Sequence, residues 1–528
     1  MIYFIPSWYK HGSWNDNDQG WYAGKNKSEY DDSVKQIQLF HRRNVIQYQV
    51  LILGHMPNLR HFLHRQGIFR ANYWSCFDAI CEIKKQKMSM FSFRNLKWPE
   101  ETEFEYTPFA VIANVNGEKY AQIEFGVDGN MVSVDIYEGN RIARRNIYDD
   151  RGFVGRSVVF ENGIEKFCEY YMENGVWKMR CHLDDGHVEI NQRYANYFLV
   201  YNGEEYSLPF SKEIYSSLDE LIEEVVGEYV ALMSEEDIFC FAMHKMHIDI
   251  IKNGFRDKKT ILSFYEDRLD FSNKEINRDS IRDVIDNSSY IVTDSVATTE
   301  YVECSIGARD NIIDISPYDS RRDFGISQQI PMYKIMVPVD DLPDDILEQI
   351  IRFTYGYMGT NDKVEVHFFT RCHKEGDREA IDNKISAAFD KANIDKALLE
   401  LGEEQSRPSP DRVERFFVNQ CIDELSVSRF IKEQRVLVDL RERPEQYIQI
   451  AAISAGIPQI VRIGNEYIED GFNGIVLKNI EGLTRALSYY LGSLANWNDA
   501  MVNAYQIGKK YSTQVLLDSW KEVIRALE

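Results

Sequence analysis

GNEYIEDGFNGIVL, residues 464–477, reads as a loop, a short acidic turn and a strand. Just upstream stands AISAGIPQIV, residues 452–461, a helix end closed by Gly456 and followed by a buried strand. Gly456 suits a left-handed cap, and Gly471 and Gly474 suit a tight turn. Helix, strand, loop and strand in this order belong to an α/β sheet whose loops gather at the strand ends.

The same alternation extends upstream. TILSFY, SYIVTDS, NIIDIS, YKIMVPV, VEVHFFT and RVLVDL read as buried strands, separated by amphipathic helices such as DDILEQIIRFTYGY and DREAIDNKISAAFDKA. At the start, IYFIP, DDSVKQIQLFHRRN, VLILGHM and NLRHFLHRQG give strand, helix, strand, helix, with a polar, aromatic loop after the first strand. The texture changes at about residue 76. Gly117, Gly129, Gly139, Gly152, Gly163, Gly175 and Gly186 follow at intervals of 10–13 residues, then Gly203, and most are preceded by Asn, Asp or Glu. Alternating segments such as QIEFGV and MVSVDIY lie between them, which predicts an antiparallel meander with tight turns. The expected organisation is a Rossmann-like domain in two parts, 1–75 and 210–255, with an inserted β-sheet domain at 76–209. A second Rossmann-like domain is expected at 256–485, and C-terminal helices at 486–528 packing back on the first domain.

The chain has 528 residues, enough for several cores, with 44% hydrophobic residues and a formal net charge of −23. Such acidity argues against binding along a nucleic-acid backbone. The eight cysteines form no CxxC pair and read as buried, reduced thiols. MIYFIPSWYKH lacks the basic lead-in of a signal peptide, and no run of about 18 apolar residues occurs, so a cytoplasmic protein is expected. His61 and His64 share one helix face beside His55, but no local carboxylate or cysteine completes a metal set. The basic run CEIKKQKMSMFSFRNLK, 81–97, is a solvated face or a contact for an acidic partner.

AISAGIPQIV followed by NEYIEDGFNGIVL resembles the donor-domain motif of retaining glycosyltransferases of the GT-B fold. The matching residues are Gly456, Pro458, Glu466, Gly471, Asn473 and Gly474. The resemblance implies an α/β, GT-B-like chain: two Rossmann-like domains facing a cleft, with the antiparallel sheet inserted in the first. It also implies a loop at Asn465 and Glu466 that touches a sugar, and a histidine at His244 or His247 near it. In active enzymes of this kind two glutamates eight residues apart brace the sugar and the ribose, and a basic pair neutralises the diphosphate. Here those glutamate positions fall on Arg443 and Ala451, and the segment after YKIMVPV carries Asp340, Asp341, Asp344 and Asp345. Alanine accepts no ribose hydroxyl, and carboxylates repel a diphosphate. The loop after the first strand, PSWYKHGSW, offers Trp8 and Trp14 where a phosphate-binding loop wants glycines. These rings suit either protein packing or stacking on a sugar.

MIYFIPSWY, YWSCFDAI at 73–80 and IYDDRGFVGRSVVFENG at 147–163, with the altered donor motif, make the whole chain similar to the first accessory secretory proteins of the accessory Sec system of streptococci and staphylococci. That resemblance implies a non-catalytic, glycosyltransferase-like adaptor with no cofactor. It implies a complex with the second and third accessory secretory proteins, and delivery of a glycosylated serine-rich repeat adhesin to the accessory translocation ATPase. N-acetylglucosamine-bearing segments of the adhesin would be the ligand, at the inner face of the membrane. Two alternatives stay open: an active transferase that pairs Glu442 or Glu445 with Glu466, and a purely structural subunit whose site is filled by aromatic side chains.

Overall fold

The computed structural model describes residues 1–10, 12–16, 31–43, 46–273, 277–372, 375–400 and 414–528. The polar, aromatic stretch at 17–30 lies outside the described residues. The chain divides into two compact units. One is Met1–Asp294, Thr298–Ile313 and Val523–Glu528; the other is Ser295–Ala297 and Asp314–Glu522.

In the first unit the strand Ile2–Ile5 is buried at every residue, as a strand covered on both faces must be. It pairs in parallel with Tyr48–Ile52 on one side and Ile238–Ala242 on the other. The sheet continues outward to Tyr73–Ser75 in one direction, and through Lys259–Phe264 and Tyr290–Thr293 to Ile312–Asp314 in the other. The chain thus reverses its direction of travel across the sheet at Ile2–Ile5 and Ile238–Ala242, which makes a topological switch point. This corrects the expected boundary at residue 256. TILSFY, SYIVTDS and NIIDIS extend the first sheet, and Lys259–Phe264 pairs directly with Ile238–Ala242. A buried strand carries no mark of which sheet it joins, so composition alone placed the boundary too early.

The insertion is a ten-stranded antiparallel sheet running from Thr102–Tyr106 at one edge to Ile214–Tyr215 at the other, with a separate hairpin of Asn196–Tyr201 and Glu204–Pro209. The sheet therefore extends past the expected limit of 209. Three of its hairpins turn on Asn-Gly pairs with both residues at positive φ: Asn116 and Gly117, Asn162 and Gly163, Asn202 and Gly203. That geometry matches the twist of the flanking strands. Residues of the insertion, among them Val158, Tyr170 and Met179, share one hydrophobic core with Phe239, Phe241 and Leu262 of the parallel sheet. The stretch IYDDRGFVG adds a buried charged joint. Asp150 accepts from the Arg60 backbone N–H at 3.0 Å and from its guanidinium, and Arg151 donates to Asp78 and Asp149 at 2.7–2.8 Å.

The second unit holds a seven-stranded sheet. Outward from Tyr333–Pro338 it runs through Val364–Thr370 and Phe416–Gln420 to Leu399–Glu400, and on the other side through Val436–Asp439 and Gln459–Val461 to Gly474–Val476. Its switch point falls between Tyr333–Pro338 and Val436–Asp439, which pair in parallel. The C-terminal helices depart from expectation. Helix Leu494–Lys510 packs on helix Gln446–Ala455 within the second unit, and Trp497 Nε1–H donates to the Arg435 carbonyl at 2.7 Å. Only Val523–Glu528 groups with the first unit. The apolar stripe of an amphipathic helix says that it packs, not on what.

Candidate functional site

Strand ends at a switch point are where an open α/β sheet offers a ligand crevice. The candidate residues of the two units fall there, and each unit is described on its own.

At the first unit's switch point, Trp8 and Trp14 are 3% and 4% exposed. Trp8 packs on Phe62 with ring centroids 4.7 Å apart, and its Nε1–H donates to Asp31 at 3.1 Å. Trp14 meets Tyr9 edge-on at 5.0 Å and donates to Asp219 at 2.7 Å. Their role as sugar-stacking platforms is corrected: both rings are core, and their N–H groups are satisfied as buried indoles require. His247 is fully buried. Its Nδ1–H donates to the Ala242 carbonyl at 2.8 Å, which leaves Nε2 to accept from the Tyr9 hydroxyl at 3.2 Å. Burial, then the neighbouring His244, lowers its pKa to about 3, so it stays neutral. His244 is half-buried and accepts through Nδ1 from the Met246 N–H at 3.3 Å, which caps the turn Lys245–His247.

The N terminus of helix Asp32–Arg43 follows the first strand, where a phosphate could seat. Two carboxylates and a guanidinium from Arg268 are there instead. Arg268 donates to Asp31 at 3.3 Å and to both oxygens of Asp32, and also to the carbonyls of Met243 and Ser263 at 2.9 Å each. Burial and the adjacent Asp32 push the Asp31 carboxyl up to about 6, against the pull of Arg268. Sequence reasoning missed this cluster. Its signal was the acidic pair, Asp31 and Asp32, at the opening of the first helix.

In the second unit the quoted loop is tied to itself. Asn473, fully buried, accepts from the Glu469 N–H and donates to the Tyr467 carbonyl, both at 2.8 Å. A Cβ on Gly474 would lie 2.6 Å from the Gln459 carbonyl oxygen, so the strand Gly474–Val476 approaches its neighbour only through glycine. Asn465 Nδ2–H donates to Gln449 at 2.7 Å, and its Oδ1 accepts from the Tyr467 N–H at 3.1 Å. Glu466 accepts through its carbonyl from the Tyr511 hydroxyl at 3.1 Å and through Oε1 from the Val296 N–H at 3.4 Å. Both remain part-exposed on this loop.

Ala451 lies mid-way along helix Gln446–Ala455, while Arg443 is exposed in the turn before it. Asp340 accepts from the Thr370 hydroxyl at 2.6 Å and the Arg371 N–H at 2.7 Å, so its carboxylate ties two strand ends together. Asp341 is exposed at φ +57. Segment 335–351 carries no Arg or Lys, and neighbouring strands bring Arg371 and Arg441 to the same edge. Each is matched by a carboxylate. Arg371 pairs with Glu445, and buried Arg441 forks onto Asp439 at 2.7 and 2.8 Å. Burial would lower the Arg441 pKa, but Asp439, with Asp340 and Asp341 further off, carries it above its usual value. Among the described residues no group of three or more His, Cys, Asp or Glu side chains is placed to hold a metal ion.

Two doubly wound sheets with strand-end loops and an inserted sheet define the GT-B glycosyltransferase fold. The pneumococcal O-GlcNAc transferase GtfA, solved in complex with UDP and GlcNAc, superposes with a TM-score of 0.67 at 11% identity, covering 100% of this chain and 98% of that one. The chain belongs to the accessory Sec system protein family of the first accessory secretory protein, whose family model matches residues 1–526. A curated relative in Streptococcus gordonii, itself named an accessory Sec system protein, is 30% identical over 99% of both chains. A chain of the glycosylation-associated Gap123 complex of Streptococcus agalactiae matches with a TM-score of 0.80 at 27% identity, covering 99% of this chain and 100% of its own. A chain from the structure of accessory secretory proteins 1, 2 and 3 of Streptococcus pneumoniae matches with a TM-score of 0.79 at 27% identity, covering 100% and 99%. Among the described residues no helix is long and apolar enough to cross a membrane.

Proposed function

We propose that this component of the accessory Sec system is a non-catalytic, glycosyltransferase-like adaptor. It helps recognise and export a glycosylated serine-rich repeat adhesin by binding N-acetylglucosamine-bearing segments. The observation that carries this reading is the second unit's switch point. Ala451 and Arg443 stand where the resemblance implies glutamates, and both strand-end guanidiniums are matched by carboxylates of the same chain. The shifted acidic pair of an active transferase finds no support here, since Glu445 is engaged by Arg371, Glu442 by Arg462, and the Glu466 carboxylate by the Val296 N–H.

The Streptococcus relatives solved as complexes make the second and third accessory secretory proteins the expected partners. The accessory translocation ATPase and the glycosylated adhesin complete the set, at the inner face of the membrane. No cofactor is required. Weak contacts to repeated glycans gain strength by multivalency. The aromatic filling around Trp8, Tyr9 and Trp14 favours a second reading for the first unit, that of a purely structural subunit. Binding of glycosylated and bare adhesin repeats to the full chain separates the two. Tighter binding of the glycosylated form is expected; equal binding would leave only the structural reading.

A further inference from the structure

The ion pair between Arg371 and Glu445 has an unusual position. Arg371 is the first residue after strand Val364–Thr370, and Glu445 precedes helix Gln446–Ala455, which follows strand Val436–Asp439. These two strands flank Tyr333–Pro338, one on each side. The pair therefore spans the C-terminal edge of Tyr333–Pro338, directly over the switch point, where a crevice in such a sheet takes its ligand.

Three further observations bear on what the pair does. The Arg371 backbone is fixed independently of Glu445, because Asp340 holds its N–H at 2.7 Å. Glu445 occupies the N-cap position of its helix but makes no side-chain capping hydrogen bond. Ser, Thr, Asp and Asn are the residues that cap well, so local helix stability does not account for a glutamate there. Finally, Arg371 and Glu445 are 19% and 20% exposed at their side chains, within reach of a small solute. The helix N terminus and the guanidinium fork of Arg371 favour an anion there; Arg441 behind them is already forked onto Asp439, so Arg371 is the cation on which the site turns.

We propose that this edge retains an anion site for a phosphate or diphosphate group, and that the Glu445 carboxylate occupies it as a built-in competitor. A carboxylate and a phosphate present similar oxygen pairs to the same guanidinium fork. The second unit then refuses a nucleoside diphosphate because its cation is already taken, rather than because no cation is present. This inference rests on the reading above that the chain uses no sugar donor.

The test titrates UDP and inorganic pyrophosphate into the full-length chain by calorimetry. The proteins are the native chain, Glu445→Gln, and the double variant Glu445→Gln with Arg371→Gln. The expected result is no binding by the native chain up to millimolar ligand, at least tenfold tighter binding by Glu445→Gln, and loss of that gain in the double variant. Should the glutamine variant be unstable, Glu445→Ser removes the carboxylate while supplying a better helix cap. Folded Glu445 variants that bind no better than the native chain would overturn the inference, as would a gain that survives without Arg371. Tight UDP binding by the native chain would instead overturn the reading of a lost donor site.

Discussion

The two switch points answer the same electrostatic problem differently. In the first unit the guanidinium of Arg268 is enclosed by Asp31, Asp32 and two carbonyls, and the neighbouring space is packed with Trp8, Tyr9, Trp14 and His247. In the second, the Arg371–Glu445 pair keeps about a fifth of each side chain in solvent, with Arg441 and Asp439 buried behind it. A buried pair is held because breaking it strands a charge, whereas a part-exposed pair exchanges readily with water and solutes. The first strand edge has become core. The second has kept its charges and turned them on each other.

The largest test of that contrast is stability. Arg268→Ala strands two carboxylates and should cost about 3–5 kcal/mol in chemical unfolding. Arg371→Ala should cost about 1 kcal/mol or less. Equal losses would erase the distinction between the two edges. Gly474→Ala comes next: its methyl meets the Gln459 carbonyl, and a loss of about 1–3 kcal/mol is expected. A neutral result would mean that the second edge is looser than the tight strand approach there requires.

Asp31 gives a smaller effect with a definite sign. Its folded pKa of about 6 lies above the ordinary carboxylate value. Between about pH 4 and 6 the folded state keeps a proton that the unfolded state has lost, so this group's contribution falls as pH rises through that window. Asp31→Asn should match the native chain near pH 4 and gain on it by up to about 2–3 kcal/mol above pH 6. Unchanged relative stability across the window would show that Asp31 is ionised throughout. The smallest effect is an absence of change. His247, with a pKa of about 3, should show no imidazole titration by NMR between pH 5 and 8. A midpoint near 6.5 would mean that the aromatic packing around it admits water.

Much of this architecture was legible in local chemistry. Asn-Gly turns marked the inserted sheet because both residues must take positive φ, and Gly456, Asn473 and Gly474 marked the loop because each meets a backbone constraint. The sheet to which TILSFY belongs was not legible, since pairing is set by contacts far along the chain. Nor were the partners of the strand-end charges. Asp340 looked like one of four carboxylates facing a diphosphate, yet its oxygens bind Thr370 and Arg371. Arg371 and Arg441 sit in other segments, and only the order of the strands brings them to the same edge. Trp8 and Trp14 could have faced a sugar or the core, and burial decided it.

We propose above that the second unit's strand edge no longer serves a sugar donor. Titration of the native full-length chain with UDP-N-acetylglucosamine, followed by an assay for released UDP, tests it most directly. We expect no heat of binding up to millimolar donor and no release. Binding near the micromolar range, about −8 kcal/mol, with UDP released over time would contradict it.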